Sequence, residues 1–493
     1  MPLDPRTPVL VGTGQWSNRV DRGEPPAEPV EMMAEALRRA AADSGASGDL
    51  LGSLDALRVV AVISRRYRNP ARLVAGRVGA RPRDEALSPV GGHEPQALVN
   101  RACLDIASGE ADVVAICGAE AWRTRSATPR DELGWTEEDP SVPPARATGP
   151  DMEMVHPAEI ARGIVMPAQV YPLFEQALRH AAGRSVEDHL VRVSELWAGF
   201  SAVAAGNPHA WIRDRWTAEE IRTPSSRNRW VCWPYTKVMN ANNAVEQAAG
   251  LILCSAAKAE ALGVPGDRWV FPVAGTQAHD TYALSHRPDL RSSGAIRLAA
   301  RRLFALAGAG VDDVAHVDLY SCFPVAVEIS ADEIGLGLDR QLTVTGGLSF
   351  AGGPWNNYVG HSIATMAGVL REDPGSLGLV SANGGFVTKH VLGLYSTEPP
   401  AGGFRWADVQ DEVDALPRRE VCDDPDGPGA VESWVVVHDR EGEPERVLAS
   451  CLLDDGRRAW AASDDPATVA EMVSGAEQIG RAVKIGAGGD LRL

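Results

Sequence analysis

Positive charge is scarce in this 493-residue chain: 48 Lys and Arg face 66 Asp and Glu, a net charge of −18. Lysine occurs only at Lys237, Lys258, Lys389 and Lys484. So acidic a surface repels phosphate backbones and anionic lipid outside a local basic island, which excludes non-specific nucleic-acid binding. Cysteine is sparse as well. Seven residues, an odd number without clustering, point to a reducing compartment and away from a disulfide framework. The N-terminus lacks a basic segment followed by a long apolar run, so a cytoplasmic protein is expected. The longest stretch without a charged side chain, Gln341–Leu370, holds six glycines, Pro354, Asn356 and Asn357. It is no membrane span, and its composition suits a buried, polar-lined site.

What is present is an ordinary globular composition, 44% hydrophobic and 23% charged, with length for two or three packed units. An apolar run at Pro8–Val11 precedes a helical pattern over Val30–Ala42. The Val-rich Leu57–Ile63 reads as a buried strand. A helix over Arg72–Val78, the run Ala86–Val90, a Gly91-Gly92 break, a helix over Gln96–Ser108 and a strand at Asp112–Cys117 follow. The order returns later, with strands at Trp269–Ala274, His316–Tyr320, Leu342–Thr345 and Leu377–Ala382. Helices over Ala295–Ala307, Val325–Ile334 and Asn357–Leu370 alternate with them. Two related αβ halves with mainly parallel sheets are expected.

The segment between the halves is helical and broken by Pro157, Pro167, Pro172 and Pro208. It carries the basic island, where Arg213, Arg215, Arg222, Arg227 and Arg229 stand among Trp211, Trp216, Trp230 and Trp233. Arg pairs with phosphate and Trp stacks on a base, so the island suits an adenine nucleotide. It equally suits a salt-bridged surface over buried Trp. Past Pro399-Pro400 the texture turns acidic. Ser433–Val437, Arg446–Leu453, Arg457–Ala462 and Ala482–Ile485 read as strands, with Asp455-Gly456 a hairpin turn and Thr468–Ala476 a short helix. Residues 401–493 hold 20 acidic and 10 basic residues, so −10 of the −18 lies there. The expected units are 1–150, 151–267, 268–400 and 401–493.

Five motifs carry a resemblance. They begin at Ala111 (Ala-Asp-Val-Val-Ala-Ile-Cys-Gly-Ala-Glu), Gln247 (Gln-Ala-Ala-Gly-Leu-Ile-Leu-Cys-Ser), Tyr320 (Tyr-Ser-Cys-Phe), Thr345 (Thr-Gly-Gly-Leu-Ser-Phe-Ala-Gly-Gly-Pro) and Ser381 (Ser-Ala-Asn-Gly-Gly). With the two-half organisation, residues 1–400 resemble the thiolase superfamily. The added β unit resembles the extra OB-like barrel of the thiolase-like proteins of type 1. The resemblance implies an α/β thiolase fold with a helical insertion and CoA or an acyl-CoA as ligand. Its setting would be acyl-CoA or lipid metabolism, and no cofactor or metal is expected.

The same resemblance assigns four catalytic positions. The nucleophilic cysteine falls on Gly92, the Asn or His of the oxyanion-hole motif on Tyr320, the Gly-His-Pro histidine on Gly353, and the second cysteine on Ala382. Covalent acyl transfer needs nucleophile, base and oxyanion donors together, so ordinary thiolase chemistry is not expected. Cys322 alone stands in a catalytic motif. A site rebuilt on it would take a low-pKa thiol with His93 and His361, and Asn356 and Asn357 on the substrate; a buried thiol among satisfied polar groups is the other reading. Cys103 is expected in the core and His390 packed on the final strand.

Three classes therefore stay open: an acyl-CoA-binding protein without condensation chemistry, an acyltransferase or other CoA-ester enzyme using Cys322, and a protein-docking role for the C-terminal unit. Thiolases dimerise through a sheet edge, here around Asp112–Trp122. The apolar run there suits an edge or a central strand, so monomer and homodimer both remain.

Overall fold

A computed structural model describes residues 3–493. Its first half runs β1 (Pro8–Ser17), α1 (Pro29–Asp43), β2 (Ala56–Val59), α2 (Pro70–Val78), β3 (Asp84–Leu87), α3 (Glu94–Ser108), β4 (Val113–Ala121) and β5 (Arg146–Ala147). The insertion supplies α4 (Pro167–Ala181), α5 (Val186–Gly206), β6 (Trp230–Trp233) and β7 (Tyr235–Thr236), and leads into β8 (Glu246–Ser255). The second half runs β9 (Phe271–His279), α6 (Gly294–Ala307), β10 (Val314–Asp318), α7 (Pro324–Ile334), α8 (Tyr358–Glu372), β11 (Leu377–Gly384), β12 (Lys389–Ser396) and β13 (Arg405–Asp408). Last come β14 (Gly427–His438), β15 (Pro444–Leu453), β16 (Arg458–Ser463), β17 (Ala482–Gly486) and β18 (Asp490–Arg492).

The halves repeat each other in topology. One sheet has the order β1-β8-β4-β2-β3-β5 and the other β10-β11-β12-β9-β13. In both, a first strand (β1, β9) pairs antiparallel with a late one (β8, β12), that one antiparallel with a third (β4, β11), and the third parallel with a fourth (β2, β10). The expected mainly parallel sheets are thus mixed. The fully buried run Glu246–Ser255 inserts antiparallel between β1 and β4, so the boundary drawn at 267 cuts too late. β13 extends the second sheet past residue 400.

The strand expected at Leu342–Thr345 is a loop. Buried Asp318 accepts the N–H groups of Val344 and Thr345 and the hydroxyls of Thr343 and Thr345. Those donors are no longer free for a ladder.

Helices α3 and α8 form the middle layer, touching each other and both sheets. Pro95 in the first turn and Gly109 in a left-handed C-cap bound α3. Its Leu98, Val99, Ala102, Cys103 and Ile106 are buried, which puts Cys103 in the core as expected. His390 is buried in β12. β4 lies between β8 and β2 and so is no sheet edge.

The C-terminal strands close a five-stranded barrel in the order β15-β16-β18-β17-β14, with β14 returning to β15. β6 of the insertion pairs onto β14, so the barrel is strapped to the body rather than hung from it. Arg458, fully buried, makes a bidentate pair with Glu432 at 2.7 Å through both oxygens. The same guanidinium donates to the carbonyls of Leu284, Ser285 and Arg287. Trp460 Nε1 adds a bond to Ser285 Oγ at 2.8 Å. Removing one partner of such a buried pair strands the other. Arg458→Ala is expected to cost about 3–5 kcal/mol, seen as a lower urea midpoint for the tryptophan-fluorescence transition.

Candidate active site

Of the four positions the resemblance assigns, Gly92 at the start of α3 meets Tyr320 and the β11 residue next to Ala382, while Gly353 packs against residues 241–243. Gly92 precedes α3, where free N–H groups and the helix dipole would favour a thiolate. A β-carbon at Gly92 would lie 2.2 Å from Tyr320 Oη and 2.6 Å from the Asn383 carbonyl oxygen. Neither separation is tolerable for a carbon atom, so Tyr320 fills the volume that a side chain at residue 92 would need.

Tyr320 is itself held in place by its backbone and its ring. Its N–H donates to Ser381 Oγ at 2.9 Å, its ring meets Tyr358 edge-on at 5.6 Å, and burial raises its hydroxyl pKa. At Gly353 a β-carbon would sit 3.0 Å from Asn243 Oδ1. Ala382 is buried in β11 opposite Val391.

Cys322 is buried at the entry to α7. Its polar neighbours include Tyr171, Tyr320 and Asn383, whose Nδ2 lies 4.0 Å from Sγ. The Tyr171 hydroxyl donates to Gly385 O at 2.9 Å and accepts from Asn383 Nδ2 at 2.9 Å. Its ring stacks on Phe323 at 4.3 Å. Burial pushes the Cys322 thiol up to about 12, against the low-pKa thiol expected there. A thiol so placed is almost wholly protonated at neutral pH and a poor nucleophile. Tyr171 was invisible in the sequence, since it lies on the insertion in an ordinary amphipathic pattern.

His93 and His361 do not join Cys322. His93 caps α3, packs against Gly384, and places Nε2 3.2 Å from Glu94 Oε1. Asn383, one residue back along β11, sends its side chain toward Cys322, and alternation along a strand separates the two faces. Burial and Lys389 keep the His93 imidazole neutral, well below its ordinary pKa. His93 instead lines a cavity of about 510 Å³ with Glu94, His279, Lys389 and His390. Burial pushes Glu94 up to about 7 there. His361 lies on α8 against β1, its Nδ1 2.9 Å from Gln15 Oε1, and burial pushes it down to about 3.

Asn356 and Asn357 clamp the halves together. Their amides donate to Ala61 O at 2.8 Å and Gly118 O at 2.7 Å, which accounts for both side chains without a substrate.

The basic island divides. Trp211 is buried under Arg19, whose guanidinium lies 4.4 Å above the ring. Arg222 pairs with Glu219, and Arg229 bonds the Trp230 and Asp439 carbonyls. Arg213, Arg215 and Arg227 are exposed and form no ion pair among the described residues. Arg227 stands 5.4 Å over the half-buried Trp216 ring. The strand of chain leading to Arg213 and Arg215 is bonded to the glycine-rich segment, Trp211 N to Ala351 O and Ile212 N to Phe350 O.

Two mixed sheets around a layer of two helices, with these positions at the start of α3, define a thiolase-like protein. The model of the thiolase-like protein type 1 additional C-terminal domain matches residues 408–490. A monomeric SCP2-thiolase-like protein type 1 from Mycobacterium smegmatis is 33% identical, with a TM-score of 0.84 and all of both chains covered. The chain belongs to that family, the SCP2-thiolase-like proteins of type 1.

The acetyl-CoA acetyltransferase of Syntrophomonas wolfei shares the fold at 16% identity and a TM-score of 0.54, over 80% of this chain and 99% of that one. An acetyl-CoA acetyltransferase of Methanocaldococcus jannaschii is 24% identical over 266 residues. That match spans 54% of this chain and 60% of the relative's length. No helix among the described residues is long and apolar enough to cross a membrane.

The contact at Gly92 sets a measurable coupling. Gly92→Ala is expected to destabilise by about 1–3 kcal/mol, as overpacking of a close-packed core does. In a Tyr320→Ala background the same change should cost less than half as much, read as coupling in a double-mutant cycle by chemical denaturation.

Proposed function

We propose that the chain is an acyl-CoA-binding member of the thiolase superfamily without ordinary thiolase activity. The observation that carries this reading is the Tyr320 hydroxyl in the volume beside Gly92. With the nucleophile's place filled, the positions at Gly353 and Ala382 lack the matching base and second thiol. Cys322, held neutral by burial beside Tyr171 and Asn383, does not favour an acyltransferase built on it.

The nucleotide end of the ligand is assigned to the exposed Arg213, Arg215 and Arg227 with Trp216. Three unpaired guanidiniums fit the CoA phosphates, and an aromatic face fits adenine. Seven free, buried cysteines accord with a cytoplasmic setting, and the monomeric relative supports a monomer.

Isothermal titration with CoA and acetyl-CoA tests the reading. Binding at millimolar concentration or tighter is expected. Replacing Arg213, Arg215 and Arg227 together by Ala should weaken it about tenfold or more, since one charged hydrogen bond contributes that much. Arg301→Ala, in an exposed pair with Glu412, should leave it unchanged. Absence of heat at millimolar ligand would remove the proposal.

A further inference from the structure

Three helices each turn an ionisable side chain into the same part of the core. Glu175 comes from α4, His189 from α5 and Glu328 from α7, and they are only 1%, 2% and 3% exposed. In sequence each reads as a charged intrusion on a buried helix face, and nothing in the spacing links them. One ligand atom from each lies within 4.8 Å of the other two. His189 Nε2 is bonded to Glu175 Oε1. Glu328 Oε2 lies 3.8 Å from the same nitrogen and has no donor among the described residues, and the Glu175 and Glu328 carboxyl groups lie within reach of a shared proton. The Tyr235 hydroxyl donates to the other oxygen of Glu175 and accepts from Val325 N.

Buried polar atoms are almost always partnered, and two carboxylates beside one imidazole cannot both stay ionised in an apolar interior without a counter-charge. Two guanidiniums flank the cluster: the half-buried Arg184 places Nη1 3.3 Å from His189 Nδ1, on the far side of the ring from the carboxylates, and Arg192 acts on Glu328 from the rim of the adjoining cavity without bonding to it. Protons can satisfy the cluster, and so can one dication, whose two charges cancel the two carboxylates.

We propose that Glu175, His189 and Glu328 bind one divalent transition-metal cation of the zinc, cobalt or manganese class through two carboxylate oxygens and one imidazole nitrogen. An imidazole donor favours these ions over calcium and magnesium, which take oxygen sets. Binding releases the protons held by the carboxyl groups to solvent and takes the Nε2 lone pair of His189. The ring proton then sits on Nδ1, and the Arg184 guanidinium withdraws from it. Tyr235 stays on Glu175 as an outer-sphere partner that orients the carboxylate. Three protein ligands leave a coordination position free. Glu328 also lines a cavity of about 980 Å³ between α5 and residues 338–343, which gives ion and water a way in. The site is distinct from the Gly92–Tyr320 contact and does not depend on CoA binding.

Chelator-treated full-length protein titrated with Co²⁺ tests the site through the visible d–d absorption of bound cobalt. One equivalent per chain is expected. Glu328→Gln, which keeps the shape of a neutral carboxyl, should lower affinity at least tenfold. His316→Ala, at a half-buried histidine paired with Asp373, should leave it unchanged. X-ray absorption on zinc-loaded wild-type protein keeps the test independent of whether the variant folds. It should show one imidazole nitrogen with oxygens only, at about 2.0–2.2 Å. No cobalt bound at tenfold excess, binding indifferent to Glu328→Gln, loss of binding in His316→Ala, or sulfur or a second imidazole in the shell would each overturn the assignment.

Discussion

The contact between the Tyr320 hydroxyl and the α-carbon of Gly92 is the constraint on which the reading of this molecule turns. Only glycine permits the approach, since any β-carbon would collide with both Tyr320 and the Asn383 carbonyl. The start of α3 can therefore lie flush against the ends of the second-half strands. Beside it the core is packed: Tyr171 stacks on Phe323 and bonds Asn383, and the Cys322 thiol is buried among them. The repeated αβ architecture is kept, and at residue 92 the space beside the α-carbon is taken by the Tyr320 hydroxyl and the Asn383 carbonyl.

A second constraint joins the barrel to the body. Arg458 answers Glu432 within the barrel and three carbonyls of the body at once, and β6 adds a strand-to-strand seam. A charge buried with every donor engaged makes the two parts cooperative, since separating them would strand it in an apolar setting. Much of the chain's acidity lies in this appended unit, where it leaves the exposed arginines near Trp216 as a local positive field on a mildly acidic body.

The repeat was legible because buried strands write themselves as short Val- and Ile-rich runs between helical periods, as at Leu57 and Asp112. β8 was half-legible: its run Gln247–Ser255 was recognised, but not that it belongs to the first sheet, which depends on pairing across more than a hundred residues. Leu342–Thr345 has strand composition, yet one buried carboxylate, Asp318, claims its N–H groups. The absence of Cys at residue 92 could be read directly. The occupation of its space by Tyr320 could not, because volume is a property of two distant segments meeting. Nor could sequence show that Cys322 lies against Asn383, His93 against Gly384 and His361 against Gln15, or that the amides of Asn356 and Asn357 bond the Ala61 and Gly118 carbonyls. The cluster of Glu175, His189 and Glu328 left no pattern, because three helices far apart in sequence assemble it.

The central claim is that a filled nucleophile position leaves the thiolase fold without thiolase turnover. The most direct measurement is CoA-dependent cleavage of acetoacetyl-CoA by the purified wild-type chain, followed as loss of the magnesium-enolate absorbance. The account predicts no rate above the protein-free blank at micromolar chain concentration. A saturable rate that scales with chain concentration would contradict it.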